Sequence, residues 1–360
     1  MRRVTVSASK PYDILIGTNL IEGVGKYVAQ ILPVCTAAVI SDSNVWPLYG
    51  NAVTGSLNQA GIQTVEYVFP AGEESKNTAT YLDILNFLAE NKITRTDIII
   101  ALGGGVVGDI SGFCAATYLR GIPYLQVPTS LLAMVDSSVG GKTAIDLPAG
   151  KNLVGAFKQP CLVLCDISAL DTLPSDVFID GCAEVIKYGV LYDKGLLTTL
   201  LQVGTAFDRE VVIEACVRHK ADVVAVDEFD TGERQKLNLG HTIGHGIEAA
   251  SNYQITHGHA VAAGMAIVTA ASVKYGICGD DTLETVLSVL TKFSLPVTCS
   301  FTASQLFLSA LSDKKRTGSR INLIVPKKIG KCDILPFPID QLESFIEAGL
   351  SWILQSIPEN

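Results

Sequence analysis

The stretch DIIIALGGGVVGD, residues 97 to 109, decides the fold of the first half of the chain. Residues 97 to 102 predict a strand, because the apolar run that follows Asp97 is of the kind found in strands buried on both faces. The glycines that follow lead into ISGFCAATYL, which has helical character. A buried strand that passes through glycines into a helix is typical of a parallel sheet covered by helices.

The same alternation of strands and helices extends towards the N-terminus. TAAVIS (36 to 41) and TVEYVF (64 to 69) predict strands, and residues 47 to 60 and 77 to 90 predict helices. After about residue 180 the pattern changes to long helical segments. These predicted helices span residues 182 to 202, 209 to 226, 240 to 250, 258 to 275, 281 to 293 and 339 to 355.

One further pair of strands is predicted late in the chain, where INLIVP (321 to 326) and CDILPF (332 to 337) flank PKKIG as in a small hairpin. A chain of 360 residues is longer than one hydrophobic core usually supports. We therefore predict an α/β domain with a parallel sheet over residues 1 to 180, followed by a mostly α-helical domain over residues 181 to 360.

Composition excludes several classes of function. The formal net charge of -9 disfavours broad binding of nucleic acid, which requires a basic face. The longest weakly polar run, residues 260 to 273, is too short and too mixed to span a bilayer, and MRRVTVSASK lacks the apolar stretch of a signal peptide. We expect a cytoplasmic protein that binds neither nucleic acid nor membrane. The nine cysteines are scattered singly and show no redox or zinc-ribbon spacing.

The glycine-rich loop at residues 103 to 109 suits a phosphate-bearing ligand. Glycines let the backbone approach a pyrophosphate closely, and the start of the next helix offers free N–H groups. The loop fits G-x-G-x-x-G, but the acidic residue expected about 20 positions later is absent. Asp42, Glu73 and Lys76 follow other predicted strands, and ligands bind at the carboxyl edge of open sheets. A nucleotide site is predicted here; the alternative is a tight strand-to-helix turn.

Residues 128 to 160 predict a long loop without regular structure. Such loops inside compact domains are usually functional. Lys142 and Lys151, together with Asp136 and Asn152, would suit a polyhydroxylated anionic substrate through charge-assisted hydrogen bonds. The alternative is a solvated surface loop.

Four of the five histidines lie between residues 241 and 259. His241 and His245 are one helical turn apart, and His257 and His259 follow across a short loop. Two imidazoles with a carboxylate and an open position would suit a catalytic zinc, whereas structural sites more often use thiolates. Glu184 is the attractive carboxylate and Glu248 the local competitor. One histidine should remain unligated to move protons, and the spacing does not say which.

The chain resembles the 3-dehydroquinate synthase family between about residues 70 and 325. The resemblance is carried by GGGVVGD, PTSLLAMVDSSVGGKT, GKNLVGAF, GCAEVIKYG, LNLGHTIGH and DKKR, in this order. It implies an N-terminal NAD-binding α/β domain, a helical C-terminal domain that binds metal and substrate, and a homodimer. It also implies the conversion of 3-deoxy-D-arabino-heptulosonate 7-phosphate, a small anionic sugar phosphate, to 3-dehydroquinate in the shikimate pathway of aromatic amino acid biosynthesis.

The resemblance also assigns roles to residues of this sequence. Glu184, His241 and His257 would bind the metal, usually zinc with cobalt as the alternative, and His245 would transfer protons. The residues implied to contact the substrate are Arg120, Asp136, Lys142, Asn152, Lys187, Lys220, Arg234, Asn238 and Lys314. The residues implied to contact NAD are Asp42, Glu73, Lys76, Gly105, Val106, Val107, Gly108, Asp109, Thr129, Ser130, Lys142, Lys151 and Thr172.

Two positions depart from the family pattern. Asp230, in the implied catalytic set, stands where the family usually has Glu, and His259 stands where the sequence HGE is common. The second change replaces an expected outer carboxylate with an imidazole, and outer partners tune metal affinity.

Three alternative functions remain open from the sequence. Another sugar-phosphate cyclase would give a different product, and a metal-dependent polyol dehydrogenase of the glycerol dehydrogenase type would accumulate NADH. A nucleotide- and metal-binding sensor would bind without turnover.

Overall fold

The computed structural model describes residues 1–33, 36–310, 316–317 and 319–356, with the backbone alone described for 309–310, 316–317 and 354–356. The strands are β1 Arg2–Val6, β2 Tyr12–Gly17, β3 Thr36–Asp42, β4 Gln63–Phe69, β5 Ile98–Gly103, β6 Tyr124–Pro128, β7 Lys142–Leu147, β8 Gly150–Phe157, β9 Leu162–Asp166, β10 Arg316–Thr317, β11 Arg320–Lys328 and β12 Lys331–Pro338. The helices are α1 Val24–Ile31, α2 Trp46–Gln59, α3 Thr78–Glu90, α4 Gly105–Thr117, α5 Ser175–Leu191, α6 Lys194–Val203, α7 Arg209–Val226, α8 His241–Ala250, α9 His257–Lys274, α10 Asp280–Lys292, α11 Ala303–Ala310 and α12 Leu342–Ser356.

The chain forms two compact units. The first unit comprises residues 1–174 and 209–229, and the second comprises residues 175–208 and 230–360. The predicted boundary near residue 180 lies within α5, and α7 belongs to the first unit although it follows α5 and α6 in sequence. α7 joins that unit because it packs on β1 and on residues 133–137.

The first unit is built on a seven-stranded sheet of order β1-β2-β9-β6-β5-β3-β4. All neighbouring strands are parallel except β1, which pairs antiparallel with β2 at one edge. Every residue of β5, β6 and β9 is buried, as expected for central parallel strands covered on both faces. The predicted α/β domain with a parallel sheet is confirmed.

The expectation of a long irregular loop over residues 128 to 160 is wrong. β7 and β8 pair there as an antiparallel hairpin, and residues 133–137 form a helical turn. Thr143 and Ile145 are buried while Lys142 is exposed, which is a strand alternation that the glycines around it concealed. Gly155 is required by packing, since a Cβ there would lie 2.1 Å from the carbonyl oxygen of Thr143.

The second unit is mostly helical, as predicted. The helix expected over residues 182 to 202 is instead two helices, because Asp193 interrupts the first and caps α6 by accepting a hydrogen bond from the N–H of Leu196 (2.9 Å). The predicted hairpin is confirmed as β11 and β12, with Leu323 opposite Leu335. No helix in the described part of the chain is long and apolar enough to cross a membrane.

Candidate metal centre and nucleotide site

Three side chains of the second unit converge with the geometry of a metal centre. Glu184 lies on α5 and is fully buried, while His241 and His257 are the first residues of α8 and α9. Oε1 of Glu184 lies 3.6 Å from Nε2 of His241 and 3.5 Å from Nε2 of His257. Ligands about 2.1 Å from a tetrahedral zinc lie about 3.4 Å from one another. The spacing therefore fits a single cation between them.

The hydrogen bonding of Glu184 also fits a cation. Oε2 of Glu184 forms an ion pair with Lys187, whereas Oε1 faces Nε2 of His241 and Nε2 of His257. Burial lowers the pKa of His257, but the hydrogen bonds and charges of Glu184 and Glu248 outweigh burial and raise that pKa to about 10. The carboxylates thus favour positive charge at this position, which either a proton or a bound metal supplies.

The other ring nitrogens hold the two imidazoles in orientation. Nδ1 of His241 lies 3.1 Å from the carbonyl oxygen of Leu239. Nδ1 of His257 lies 3.5 Å from Oε2 of Glu248, which is buried. Such outer contacts fix the tautomer and leave Nε2 available to a metal. Glu248 is placed to orient His257, although a second possible grouping of His245, Glu248 and His257 keeps it as an alternative ligand.

A glycine sets the position of His241. Gly240 has φ +78°, in the left-handed region that glycine adopts without strain. A Cβ at Gly240 would also lie 2.7 Å from the carbonyl oxygen of Val261 on α9. Glycine is therefore required at residue 240, immediately before His241, where the start of α8 packs against α9.

His245 and His259 lie outside the triad. His245 is exposed one turn after His241, and its ring centroid is 5.5 Å from that of His241 and 6.2 Å from that of His257. His259 belongs to neither possible metal grouping, and its Nδ1 lies 2.9 Å from Oδ1 of Asp180. The hydrogen bond to Asp180 raises the pKa of His259.

The remaining predicted residues of the second unit lie in the segment before α8 and on α5. Lys187 and Arg234 are buried, and Asn238 donates a hydrogen bond to the carbonyl oxygen of Gln235 (3.0 Å). Asp230 has φ +58°, a conformation in which Asp is enriched among non-glycine residues. Lys314 lies outside the described residues.

In the first unit, the predicted nucleotide-binding residues follow three adjacent parallel strands. Strand order β5-β3-β4 places the end of β3 at Asp42, the turn at Glu73–Ser75 after β4 and the glycines after β5 at one edge of the sheet. Asp42 accepts hydrogen bonds from the N–H groups of Asn44 and Val45, both 2.9 Å, so its carboxylate also stabilises the local turn.

The glycine-rich loop begins α4, as the sequence predicts. Gly105 is the first residue of α4, and the N–H of Thr129 donates to the carbonyl oxygen of Gly103 (3.0 Å). A Cβ at Gly104 would lie 3.4 Å from Oγ of Ser130. Thr129 and Ser130 thus lie beside the loop, and Val106, Val107 and Gly108 continue the first turn of the helix.

A buried charged cluster surrounds Lys76. Its Nζ lies 2.7 Å from Oδ2 of Asp109 and donates to Oδ1 of Asn152 (2.6 Å). Glu73 lies 3.8 Å from Lys76 and 3.9 Å from Lys151. Burial lowers the pKa of Lys76, but the charges of Asp109 and Glu73 outweigh burial and raise it to about 12. Asn152, predicted to contact substrate, is therefore hydrogen-bonded to Lys76, which is predicted to contact NAD.

The other predicted residues of the first unit are more dispersed. Lys220 on α7 forms an ion pair with Asp136 and donates to its carbonyl oxygen (2.7 Å). Lys142 is exposed at the start of β7, and Arg120 is exposed with φ +67°. Thr172 shares a hydrogen bond with the hydroxyl of Tyr49.

Sequence reasoning missed two carboxylates that the structure brings into these sites. Asp146 on β7 accepts from the N–H of Asn152 (2.7 Å) and donates its own N–H to the carbonyl oxygen of Lys76 (2.7 Å). Asp180 lies one helical turn before Glu184, and that four-residue spacing was the available signal for it.

Comparison with known proteins identifies similar chains. A family model described as 3-dehydroquinate synthase N-terminal matches residues 66–180, and one described as 3-dehydroquinate synthase C-terminal matches residues 181–316. The chain is 45% identical over 329 residues to the 3-dehydroquinate synthase of Clostridium acetobutylicum, which covers 90% of this chain and 92% of the relative.

Two solved structures share the fold. One is 2-epi-5-epi-valiolone synthase from Streptomyces hygroscopicus subsp. jinggangensis with NAD⁺ and Zn²⁺ bound, with a TM-score of 0.89, 24% identity and coverage of 99% of this chain and 100% of the other. The second is 2-deoxy-scyllo-inosose synthase complexed with carbaglucose-6-phosphate, NAD⁺ and Co²⁺, with a TM-score of 0.86, 24% identity and coverage of 97% and 100%.

Proposed function

We propose a reaction and a set of residue roles from the premise that the chain belongs to the 3-dehydroquinate synthase family. The proposed reaction converts 3-deoxy-D-arabino-heptulosonate 7-phosphate to 3-dehydroquinate and inorganic phosphate, within the shikimate pathway. The observation that carries the proposal is the 45% identity to a named synthase over 90% of the chain. The carboxylate and imidazole triad at Glu184 supplies matching chemistry.

The second unit would hold the metal through Glu184, His241 and His257. Two imidazoles and one carboxylate leave an open coordination position, which suits a catalytic zinc or the cobalt that can replace it. When bound, the metal would polarise reacting hydroxyl and carbonyl oxygens as a Lewis acid. Lys187, through its ion pair with Glu184, would hold this buried carboxylate in place.

The first unit would bind NAD at the edge formed by β3, β4 and β5. When bound, NAD would supply the transient oxidation of a ring alcohol. The oxidation would make the neighbouring C–H bond acidic enough for phosphate elimination, and its reversal afterwards would leave no net consumption of NAD. Ring opening and an aldol closure then complete the product.

Protein side chains would bind the substrate and move its protons. His245 is exposed one turn from His241, and it is our candidate for proton transfer. Cationic groups such as Lys142 and Arg234 would stabilise the carboxylate and phosphate of the substrate, which explains how an acidic chain binds an anion. Lys314 keeps the substrate role that the family resemblance implies, and a homodimer is proposed on the same ground.

The proposal is tested with the full chain reconstituted with Zn²⁺ or Co²⁺ in the presence of NAD. With the heptulosonate phosphate, we expect one phosphate released per 3-dehydroquinate formed and no accumulation of NADH. Folded, metal-loaded protein that releases no phosphate would contradict the proposal. A cyclic product other than 3-dehydroquinate, made from a different sugar phosphate, would reassign the chain to another cyclase activity.

A further inference from the structure

Helix α5 presents two carboxylates on one face. Asp180 and Glu184 are four residues apart, so their side chains lie one above the other along the helix. Glu184 faces the two ligand imidazoles, whereas Asp180 lies against the start of α9, the helix that begins with His257. One helical face therefore contacts both the metal site and the helix that carries one of its ligands.

Asp180 accepts the hydrogen bonds that cap α9. Its Oδ1 lies 2.5 Å from Oγ1 of Thr256, 2.9 Å from the backbone N of His259 and 2.9 Å from Nδ1 of His259. The N–H of Gly258 also donates to this carboxylate. N–H groups in the first turn of a helix have no partner within the helix, and the Thr256 side chain makes no capping bond to them. Asp180 supplies that cap from a different helix.

Gly258 lets the two helices approach this closely. A Cβ at Gly258 would lie 1.9 Å from the carbonyl oxygen of Asp180. No side chain larger than hydrogen fits between His257 and His259 without moving α9 away from α5. The distance between these helices is therefore fixed by direct contact as well as by hydrogen bonds.

We propose that Asp180, Thr256 and His259 act as positioning residues for the metal centre, a set that we call the α5–α9 clamp. By fixing the start of α9 against α5, the clamp sets the 3.5 Å separation between Oε1 of Glu184 and Nε2 of His257. The inference deepens the proposed function and rests on its assignment of His257 as a ligand. It also assigns a role to His259, because a Glu at this position would place a second carboxylate beside Asp180.

Cobalt binding to the metal-free full chain tests the clamp without substrate or NAD. Asp180→Asn keeps the size of the side chain but removes its charge and one acceptor. We expect its Kd for Co²⁺, followed by visible absorption, to rise about 10-fold, which is the lower end for residues that orient metal ligands. Asp281→Asn, the same change at an exposed residue of α10, is the matched control and should leave the Kd unchanged.

Charge rescue separates positioning from general stability. His259→Glu should weaken Co²⁺ binding, and the double variant Asp180→Asn with His259→Glu should recover it, since the Asn amide can donate to the new carboxylate. Thr256→Val supplies a further test if either variant fails to fold, which circular dichroism of the metal-free protein would show. Wild-type Kd and an unchanged Co²⁺ spectrum in Asp180→Asn and His259→Glu would overturn the clamp.

The outcome is distinguishable from failure of the proposed function. If the chain releases no phosphate but its Co²⁺ affinity depends on Asp180 and His259, the proposed clamp stands and the proposed reaction is wrong. If the chain turns over normally and its Co²⁺ affinity is unchanged by substitution of Asp180 or His259, the proposed reaction stands and the proposed clamp is wrong.

Discussion

The two units each bury a group of charges, and the two groups differ in how completely the protein satisfies them. In the first unit, the ammonium of Lys76 has both a carboxylate and an amide oxygen within 2.7 Å. In the second, Oε2 of Glu184 is paired with Lys187, whereas Oε1 faces two imidazole nitrogens at 3.5 and 3.6 Å. A buried charge is tolerated when it is paired, so the first cluster is stable by itself. The second cluster pairs one oxygen of Glu184 with Lys187 and leaves the other in a grouping with His241 and His257 that could hold a metal ion.

Removal of the metal should have the largest effect. We expect chelation to lower the rate of phosphate release by at least about 100-fold, because the group that polarises the substrate is lost. Chelation should also lower the thermal stability of the chain, since a ligand at about 100 times its Kd contributes about 2.7 kcal/mol to unfolding. Recovery of both on adding Zn²⁺ or Co²⁺ is the control. Full activity after exhaustive dialysis against chelator, with no metal detected, would contradict the assignment of a catalytic metal to the Glu184 cluster.

His245 should separate catalysis from metal binding. His245→Ala should keep the bound metal, because the triad does not include this side chain, while the rate falls about 10² to 10⁴ fold through loss of proton transfer. Metal content by atomic absorption and phosphate release on the same preparation measure the two effects. Loss of metal from His245→Ala would favour the alternative grouping of His245, Glu248 and His257.

Lys76→Met should destabilise the first unit whether or not metal is present. The substitution leaves Asp109 without its cation, and breaking a buried ion pair on one side costs about 3 kcal/mol in the free energy of unfolding. Lys151→Met is the matched control, since Lys151 is more exposed and lies 3.9 Å from Glu73. Urea unfolding of the metal-free variants measures both. Equal losses in the two variants would show that the Lys76 cluster is not the more strongly coupled one.

The Lys76 cluster should also give stability a dependence on alkaline pH. The pKa of Lys76 is raised in the folded chain to about 12 from an ordinary value of 10.5. Its contribution, about 2 kcal/mol for a shift of this size, is fully present below 10.5 and is lost as pH rises through 12. The difference in unfolding free energy between wild type and Lys76→Met should therefore narrow above 10.5. A difference that stays constant across this range would mean that the ammonium charge contributes nothing.

The sequence predicted those features of the fold that depend on local pattern. The run predicted at 97 to 102 overlaps β5 (Ile98–Gly103), and the glycines after it lead into α4, because a fully buried strand and a flexible turn both leave local signatures. The hairpin of β7 and β8 was missed because glycines interrupt its alternation. The break between α5 and α6 was missed because Asp193 could equally lie inside one long helix. Its role as a cap is evident only from the hydrogen bond that it accepts from the N–H of Leu196.

The candidate site likewise contains residues that local pattern predicts and residues that only tertiary packing reveals. Glu184, His241 and His257 were identified from residue type, spacing and family resemblance, and the structure brings them together. The role of Asp180 depends on how α9 packs on α5, which no local pattern encodes. His259 was noted as a departure from the family, but its partner could be found only from the three-dimensional arrangement.

The most direct measurement of the central claim is a Co²⁺ titration of the full-length chain and of its His257→Ala variant, followed by visible absorption. We expect wild type to bind one Co²⁺ per chain with the intense bands of a tetrahedral site, and His257→Ala, while remaining folded, to bind none at the same concentration. Stoichiometric, unchanged Co²⁺ binding by the variant would contradict the claim that Glu184, His241 and His257 form the metal centre.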